Sequence, residues 1–246
     1  IVISDIHGHR AWLEKLLKKV DFSEKDILII VGDMIEKGPE SLNTIRYIME
    51  LCEKYTVYPM MGNVDLWRIQ MLLTEDGSLD QELYETNERM RQYWKATFFQ
   101  DLCREAGVSV KTPEEIPAAR EAVLAKFQKE LTFMKELPTI LVTPAFTFVH
   151  GGLVHEKLED NFQLPPFQLL KNDNFINQGK HFDKYVVVGH WPVPLPVGYR
   201  VLCALYQRGT EDYCHRRRLR DQAGRPAQRP DHSGSLFRKS DLGERG

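Results

Sequence analysis

The sequence is poor in features that would assign it to a simple class of protein. It has four cysteines, and no two of them form a C-x-x-C pair. Scattered cysteines argue against a zinc knuckle or a disulfide scaffold and are typical of a reducing cytoplasm. No apolar run approaches the roughly 20 residues that a membrane helix needs. The sequence therefore predicts a cytoplasmic protein that does not cross a membrane.

An excess of charge of either sign is also lacking. Lysine and arginine number 33 against 35 aspartates and glutamates, so the formal net charge is −2. A chain with so small a net charge has no global field to recruit nucleic acid or an anionic membrane. Its 246 residues are enough to bury a sizeable core and fit one domain with an insertion, or two small domains.

Polar residues with metal-binding chemistry follow the first two strand-like runs. The first run ends at Asp5 and His7 and the second at Asp33, with an amphipathic helix predicted between them over 10–20. Such a β-α-β unit brings Asp5 and Asp33 to neighbouring strand ends, which is where ligands bind in open α/β sheets. An Asp with a His two residues on suits a metal such as Mn, Fe or Zn.

Three later strand-like runs end in the same way, at Asn63, His150 and His190. Taken singly, either histidine would be interpreted as a buried residue bonded to the backbone, but five strand ends of this kind favour a metal site. The residues between 66 and 137 differ from the rest. They carry long helical patterns without a clear strand and predict a helical insertion over or beside the site.

Five ordered motifs carry a family resemblance: SDIHGH, GDMIEKGPES, MGNVD, VHGGL and VGHWP. Together they resemble the calcineurin-like metallophosphoesterases, in the branch of the Ser/Thr phosphatases and symmetrical dinucleoside tetraphosphatases. The resemblance implies an α/β fold, with a metallophosphoesterase β-sandwich flanked by helices. It also implies a metallophosphoesterase domain over 1–196, with the helical cap at 66–137 inserted within it.

The resemblance further implies a centre of two divalent metal ions, of the Mn, Fe or Zn type. Asp5, His7 and Asp33 would hold one ion, and Asp33 would bridge to a second. The second ion would be held by Asn63, His150 and His190. In the family, such a centre hydrolyses a phosphate ester or phosphoanhydride through a metal-bound hydroxide, so the expected substrate is a phosphorylated small molecule or a nucleotide. Lys37 and Asn63 are the expected substrate-binding residues.

Three positions depart from the family pattern. Lys37 stands where the family has a phosphate-binding Arg. The positive charge remains, but a lysine cannot donate the two parallel hydrogen bonds that a guanidinium group gives to a phosphate. Pro192 stands where many relatives have a second His, which leaves the first metal with fewer protein ligands. Val64 stands where phosphatases have the His that protonates the leaving group, and such an acid is typically worth about 10²- to 10⁴-fold in rate.

The loss of that acid predicts a preference for good leaving groups, such as aryl, nucleotide or phosphoanhydride groups, over phosphoserine. Asp65, His9 and His155 are candidate substitutes for it. Two alternatives stay open. One is a Ser/Thr protein phosphatase, which Val64 and Lys37 disfavour. The other is a non-catalytic scaffold of the same fold, against which the complete set of ligands argues.

The composition changes after residue 196, and we interpret 197–246 as an aberrant, disordered, Arg-rich tail. A basic tail that binds nucleic acid is the alternative. However, residues 211–233 can be back-translated, with freely chosen wobble bases, so that a shift of one base reads KIIAIDGGCVIKQDGQLNALII. This resembles the strand pair that closes the sheet in such relatives. We therefore hypothesise a frameshift between 194 and 211, which removes the reason to expect nucleic-acid binding.

Overall fold

A computed structural model describes residues 1–73, 93–194, 200–202 and 205–207 of the chain. Its first sheet has three parallel strands in chain order, β1 (Val2–Ile3), β2 (Ile27–Ile30) and β3 (Thr56–Pro59). Parallel strands need long crossovers, and these are provided by two amphipathic helices, α1 (Arg10–Lys19) and α2 (Ser41–Lys54). The predicted β-α-β unit is present.

The second sheet has four strands in the order β4-β5-β6-β9. They are β4 (Ile140–Val142), β5 (Phe146–Val149), β6 (Tyr185–Val188) and β9 (Leu205–Gln207). β5 and β6 are parallel, and the two outer strands run antiparallel to them. A separate antiparallel pair joins β7 (Pro192–Pro194) to β8 (Arg200–Leu202). β4 was not predicted from the sequence; it is a short run that forms a hairpin with β5.

Side chains of β2 alternate between two layers. Ile27 and Ile29 pack with Phe148 and Val187 of the second sheet, whereas Leu28 and Ile30 belong to the cluster that contains the buried faces of α1 and α2. Every residue of β2 is buried, which explains why it reads as a continuous apolar run instead of an alternating one. The two sheets therefore form a sandwich flanked by helices, and the predicted α/β fold is confirmed.

The described elements between 63 and 137 are helical. They are α3 (Asn63–Leu73), α4 (Thr97–Ala106), α5 (Ile116–Lys126) and α6 (Gln128–Lys135). Phe98 and Phe99 of α4 are fully buried against the helices of the main cluster, so these aromatic residues serve the core. Residues 74–92, which belong to the predicted insertion, lie outside the described residues.

One further short helix, α7 (Pro166–Leu170), belongs to the segment of chain that connects β5 to β6. None of the helices described is both long enough and apolar enough to span a bilayer. β8 and β9 fall within the segment 197–246 that was interpreted as a tail, and residues 208–246 lie outside the described part of the chain. The tail and the frameshift stay predictions.

Candidate metal centre

The loops that follow β1 and β2 run side by side and are joined through their backbones. The amides of Asp5, His7 and Gly8 donate to the carbonyls of Gly32, Asp33 and Met34 at 3.0, 2.9 and 2.8 Å, respectively. Ser4 adds a side-chain bond from its Oγ to the carbonyl of Val31 at 2.7 Å. These bonds extend the pairing of the strands beyond their ends and bring the first ligand residues together.

Asp5, His7 and Asp33 form the first ligand group, in which one ligand atom of each residue lies within 4.8 Å of the others. Nε2 of His7 is 3.6 Å from Asp5 Oδ1 and 3.6 Å from Asp33 Oδ2. The other ring nitrogen, Nδ1, lies 3.1 Å from the carbonyl of Ile35. Because a carbonyl only accepts, Nδ1 carries the proton, and Nε2 of the neutral ring presents its lone pair to the two carboxylates.

Asp33, His150 and His190 form the second ligand group, again within 4.8 Å. His150 is fully buried; its Nδ1 donates to the carbonyl of Val31 at 2.7 Å, and its Nε2 is 3.4 Å from Asp33 Oδ1. Asn63 joins the same group, since its Oδ1 lies 3.1 Å from Nε2 of His150. The structure thus brings together all six predicted ligands.

His190 is held by two carboxylates. Its backbone amide donates to Asp5 Oδ2 at 3.0 Å, and its ring nitrogen Nε2 lies 2.9 Å from Asp173 Oδ1. Lys171 contacts the same oxygen of Asp173, and its Nζ is 3.4 Å from Nε2 of His190. Lys171 and Asp173 were not among the predicted site residues, because the loop that carries them matches none of the five motifs.

Backbone strain is concentrated at the site. Seven non-glycine residues of the described chain have a positive φ, and all but Asp21 belong to the loops that carry or adjoin the ligands. They are Asp5, His7, Asp33, Glu36, Lys37 and His190, with φ between 49° and 68°. Such conformations cost of order 1–3 kcal/mol each and persist only where the surroundings enforce them. Their clustering indicates loops shaped for function at the expense of stability.

Gly62 is required by the close approach of two loops. A Cβ at this position would lie 2.0 Å from the backbone nitrogen of Asp33 and 2.3 Å from its Oδ1. Any side chain would therefore push the loop after β3 away from the shared carboxylate, and Asn63 with it. This explains the glycine of the MGNVD motif in physical terms.

The buried charges are strongly linked. Burial opposes ionisation of Asp33, but His150, His7 and the amide of Val64 hold the pKa of this carboxyl well below its usual range. Burial also opposes the charged form of His150, yet the Asp33 and Asp5 carboxylates raise the pKa of this ring to about 9. The centre therefore stabilises positive charge between its carboxylates even without a metal ion.

The three candidate acids occupy different places. Asp65 is fully buried and accepts bonds from the amides of Met34 and Gly62, both at 3.0 Å. Burial and the charge of Asp33 raise the pKa of Asp65 to about 7. His9 stacks on Trp12 at the start of α1, and the exposed His155 bonds to Asn161 through its backbone.

Glu36 links the site to the helical segment. Its carboxylate accepts bonds from Arg68 Nε at 3.0 Å and from the amides of Thr97 and Phe98 at 3.0 and 3.2 Å. It therefore caps the N-terminus of α4, where a negative charge is favourable. The neighbouring Lys37 places its Nζ 2.6 Å from Nε2 of His7. Glu36 belongs to the GDMIEKGPES motif, but its partners were not predictable from the sequence.

Comparisons with known proteins point to one family. A family model described as calcineurin-like phosphoesterase matches residues 1–223. The symmetrical bis(5'-nucleosyl)-tetraphosphatase of Buchnera aphidicola subsp. Schizaphis graminum is 45% identical over 65 residues, which are 26% of this chain and 23% of that protein. The enzyme of the same name from Vibrio parahaemolyticus is 39% identical over 66 residues, or 26% and 24% of the two chains.

The matched segment thus spans about a quarter of the length of these curated relatives. Among solved structures, a candidate diadenosine tetraphosphatase is 21% identical, with a TM-score of 0.49 over 77% of this chain and 73% of that chain. A metallophosphoesterase from Sphaerobacter thermophilus is 19% identical, with a TM-score of 0.37 over 63% and 46%.

Proposed function

The chain belongs to the calcineurin-like phosphoesterase family, and we propose that it is a hydrolase that cleaves a phosphate ester or phosphoanhydride with two divalent cations. The observation that carries this proposal is the position of Asp33 in both ligand groups. Its Oδ2 faces His7 and its Oδ1 faces His150. A carboxylate with one oxygen toward each group is suited to bridge two cations.

The side chains at the centre fit divalent metals. Asp5, Asp33 and Asn63 offer oxygen, and the histidines offer imidazole nitrogen, a mixture that suits Mn, Fe or Zn better than an all-oxygen site would. Asp5 and Asp33 are 7% and 3% exposed, so their charges are largely removed from water. Buried carboxylates need a positive partner, and two metal ions would provide one for each group.

Two divalent cations held by these residues would supply the activation of a water molecule and the neutralisation of the phosphoryl oxygens. Lys37 is positioned to add a third positive charge, since its Nζ already lies beside His7 at the edge of the first group. In the proposed complex it contacts a phosphoryl oxygen of the substrate. Asn63 directs its amide oxygen at Nε2 of His150 and would help to hold the second cation. Asp65 holds the loops after β2 and β3 in place through their amides.

The preferred substrate is one with a good leaving group. Val64 follows Asn63 directly and contributes its backbone amide to Asp33 at 3.0 Å, but its side chain has no proton to donate. A nucleotide phosphoanhydride needs less help from an acid than a serine alkoxide does. The tetraphosphatase names of the relatives support a nucleotide as substrate. The same valine disfavours a Ser/Thr protein phosphatase.

The test is hydrolysis of p-nitrophenyl phosphate, bis-p-nitrophenyl phosphate and a dinucleoside tetraphosphate, each with Mn²⁺ or with EDTA. We expect turnover that depends on the metal and is lost in Asp33→Asn, with Asp183→Asn as an exposed control of equal charge change. The rates on the three substrates separate phosphatase from phosphodiesterase and anhydride hydrolase. A folded protein that binds Mn²⁺ without turning over any of them would favour the scaffold alternative.

We propose that the catalytic domain covers residues 1–196, so the assay must also test whether the residues that follow it affect activity. All predicted ligands precede the hypothesised frameshift, so the centre itself is encoded in the present reading frame. Assays should therefore compare this chain with one whose tail is restored to the other frame. Activity that appears only after restoration would support the frameshift, and resequencing that finds one intact frame would refute it.

A further inference from the structure

The three histidines of the centre share a pattern of hydrogen bonding. His7 and His150 each bond through Nδ1 to a backbone carbonyl, at 3.1 and 2.7 Å, and direct Nε2 at the ligand group. A metal-binding imidazole usually has such a partner on its other nitrogen, and the partner fixes both the tautomer and the orientation of the ring. Two of the three rings therefore have a backbone acceptor built into the fold.

His190 follows the pattern with its nitrogens exchanged. Here it is Nε2 that meets an acceptor, Oδ1 of Asp173, at 2.9 Å. Nδ1 is then the nitrogen left for the ligand group that His190 forms with Asp33 and His150. We propose that Asp173 is a positioning residue, which accepts the Nε2 proton of His190 and so leaves Nδ1 as the metal-binding atom. This inference rests on the metal centre proposed above.

Lys171 completes the arrangement. Its ammonium group contacts Oδ1 of Asp173, the same oxygen that faces His190. Nζ of Lys171 is also 3.4 Å from Nε2 of His190, but Nε2 lies closer to Asp173 Oδ1, at 2.9 Å. A carboxylate oxygen can accept both bonds, whereas an ammonium group can accept none, so Asp173 is the acceptor for both neighbours. Lys171 restricts the rotation of the carboxylate and keeps Oδ1 directed at the ring.

The loop that carries Asp173 is anchored to the second sheet. The amide of Gly151, directly after His150, donates to the carbonyl of Leu169 at 2.9 Å, and Asn172 Nδ2 donates to the carbonyl of Leu153 at 3.1 Å. Asn172 is buried. These two bonds lie on either side of Lys171 and fix the position of the loop relative to His150. The same bonds therefore fix the position of Asp173 relative to His190.

The exposure of Asp173 and His190 determines how much metal affinity the removal of Asp173 should cost. Loss of such an outer partner typically lowers metal affinity about 10- to 100-fold. The side chain of Asp173 is 60% exposed and that of His190 is 13% exposed. Water can therefore replace part of the bond, and we expect the lower end of the range, about tenfold, for Asp173→Ala. The first cation should bind as before, because the hydrogen bonds and ion pairs of the Asp173 side chain in the described part of the chain go to Lys171 and His190 and not to the first group.

Two measurements on the full chain test this inference. Long-range ¹H–¹⁵N spectra of the metal-free protein report which nitrogen of His190 carries the proton, with the signal assigned by its loss in His190→Gln. Calorimetric titration with Mn²⁺ reports the affinity of each cation. We expect the Nε2–H tautomer in the wild type, a mixture of tautomers in Asp173→Ala, and a smaller change in Asp173→Asn, whose amide oxygen still accepts. Asp183→Ala is the matched control, because this exposed aspartate lies outside the ligand groups.

An Nδ1–H tautomer in the wild type would overturn the proposal, and so would an Asp173→Ala variant that binds the second cation with unchanged affinity. Failure of the broader proposal looks different. In that case the wild type itself would bind no Mn²⁺, while the tautomer of His190 would still report whether Asp173 orients the ring.

Discussion

The two ligand groups use the same kinds of residue but are held in different ways. The first draws Asp5, His7 and Asp33 from neighbouring strands of one sheet, and a backbone carbonyl orients its histidine. The second combines Asp33 with His150 and His190 from the other sheet, and an exposed side chain contacts its outermost histidine. Backbone carbonyls thus orient the one histidine of the first group and His150 of the second, whereas His190 of the second group depends on a side chain of a surface loop.

This difference predicts two cations of unequal affinity. Ligands that are already in place cost little entropy when the metal binds, so the first group should bind its ion more tightly. The second group should bind later and exchange faster. The centre would then have one resident cation and one that responds to the metal concentration around it.

Removal of His150 should give the largest effect, because it takes a buried ligand from the second group and leaves the first intact. We expect His150→Asn to retain one metal ion instead of two and to lose about 10³-fold in kcat, since a catalytic cation is worth several kcal/mol. Metal content after gel filtration and steady-state kinetics check both points. His181→Asn, at an exposed histidine, is the control. Retention of both ions would show that the two groups are not separate.

A smaller but more selective effect is expected from Val64→His, which lies at the junction of the groups beside Asn63. An imidazole here restores the type of acid that the family uses, and we expect hydrolysis of a phosphoserine peptide to rise about 100-fold. Hydrolysis of an aryl phosphate should change little, because its leaving group needs no proton. Val64→Asn serves as a polar control without a titrating side chain. Equal gains on both substrates would contradict the proposed leaving-group preference.

The first group was the more predictable of the two. Its ligands lie at the ends of consecutive parallel strands, and the crossover rule alone brings Asp5 near Asp33. The five predicted strands are present, since each is a short run rich in β-branched or aromatic residues, which favour strands. The ligand roles of the six residues stay proposals, but their proximity was correctly predicted.

The surroundings of the second group were not predictable from sequence. Asp173 reaches His190 because α7 and its loop fold back on the strand end at His150, and no periodicity or spacing encodes that path. The partners of Glu36 were missed for a similar reason, as Arg68 and Thr97 are 32 and 61 residues away along the chain. Such contacts depend on tertiary packing, which local patterns do not specify.

Glu36 offers a test of how rigidly the first group is held. Its buried carboxylate ties the loop after β2 to Arg68 and the start of α4, and we expect Glu36→Gln to lower the free energy of unfolding by about 2–3 kcal/mol. The matched control is Glu105→Gln, which breaks a pair with Arg46 whose side chains are 40% and 36% exposed and should cost less than about 1 kcal/mol. Urea titrations measure the free energy of unfolding of both variants. Equal losses would mean that Glu36 is no more structural than a surface ion pair.

The smallest change in kinetics is expected from Lys37→Arg, which keeps the positive charge beside the first group and changes only the hydrogen bonds that it can donate. Lys37 places a single ammonium group beside His7, whereas a guanidinium group would offer two parallel bonds to a phosphoryl group. A gain of about 1 kcal/mol in binding corresponds to a KM about fivefold lower, with kcat unchanged. Lys37→Met should raise KM instead, and the exposed Lys157→Arg should leave it as it is. If Lys37→Arg and Lys37→Met both leave KM unchanged, Lys37 does not contact the substrate, and its role is limited to the contact with His7.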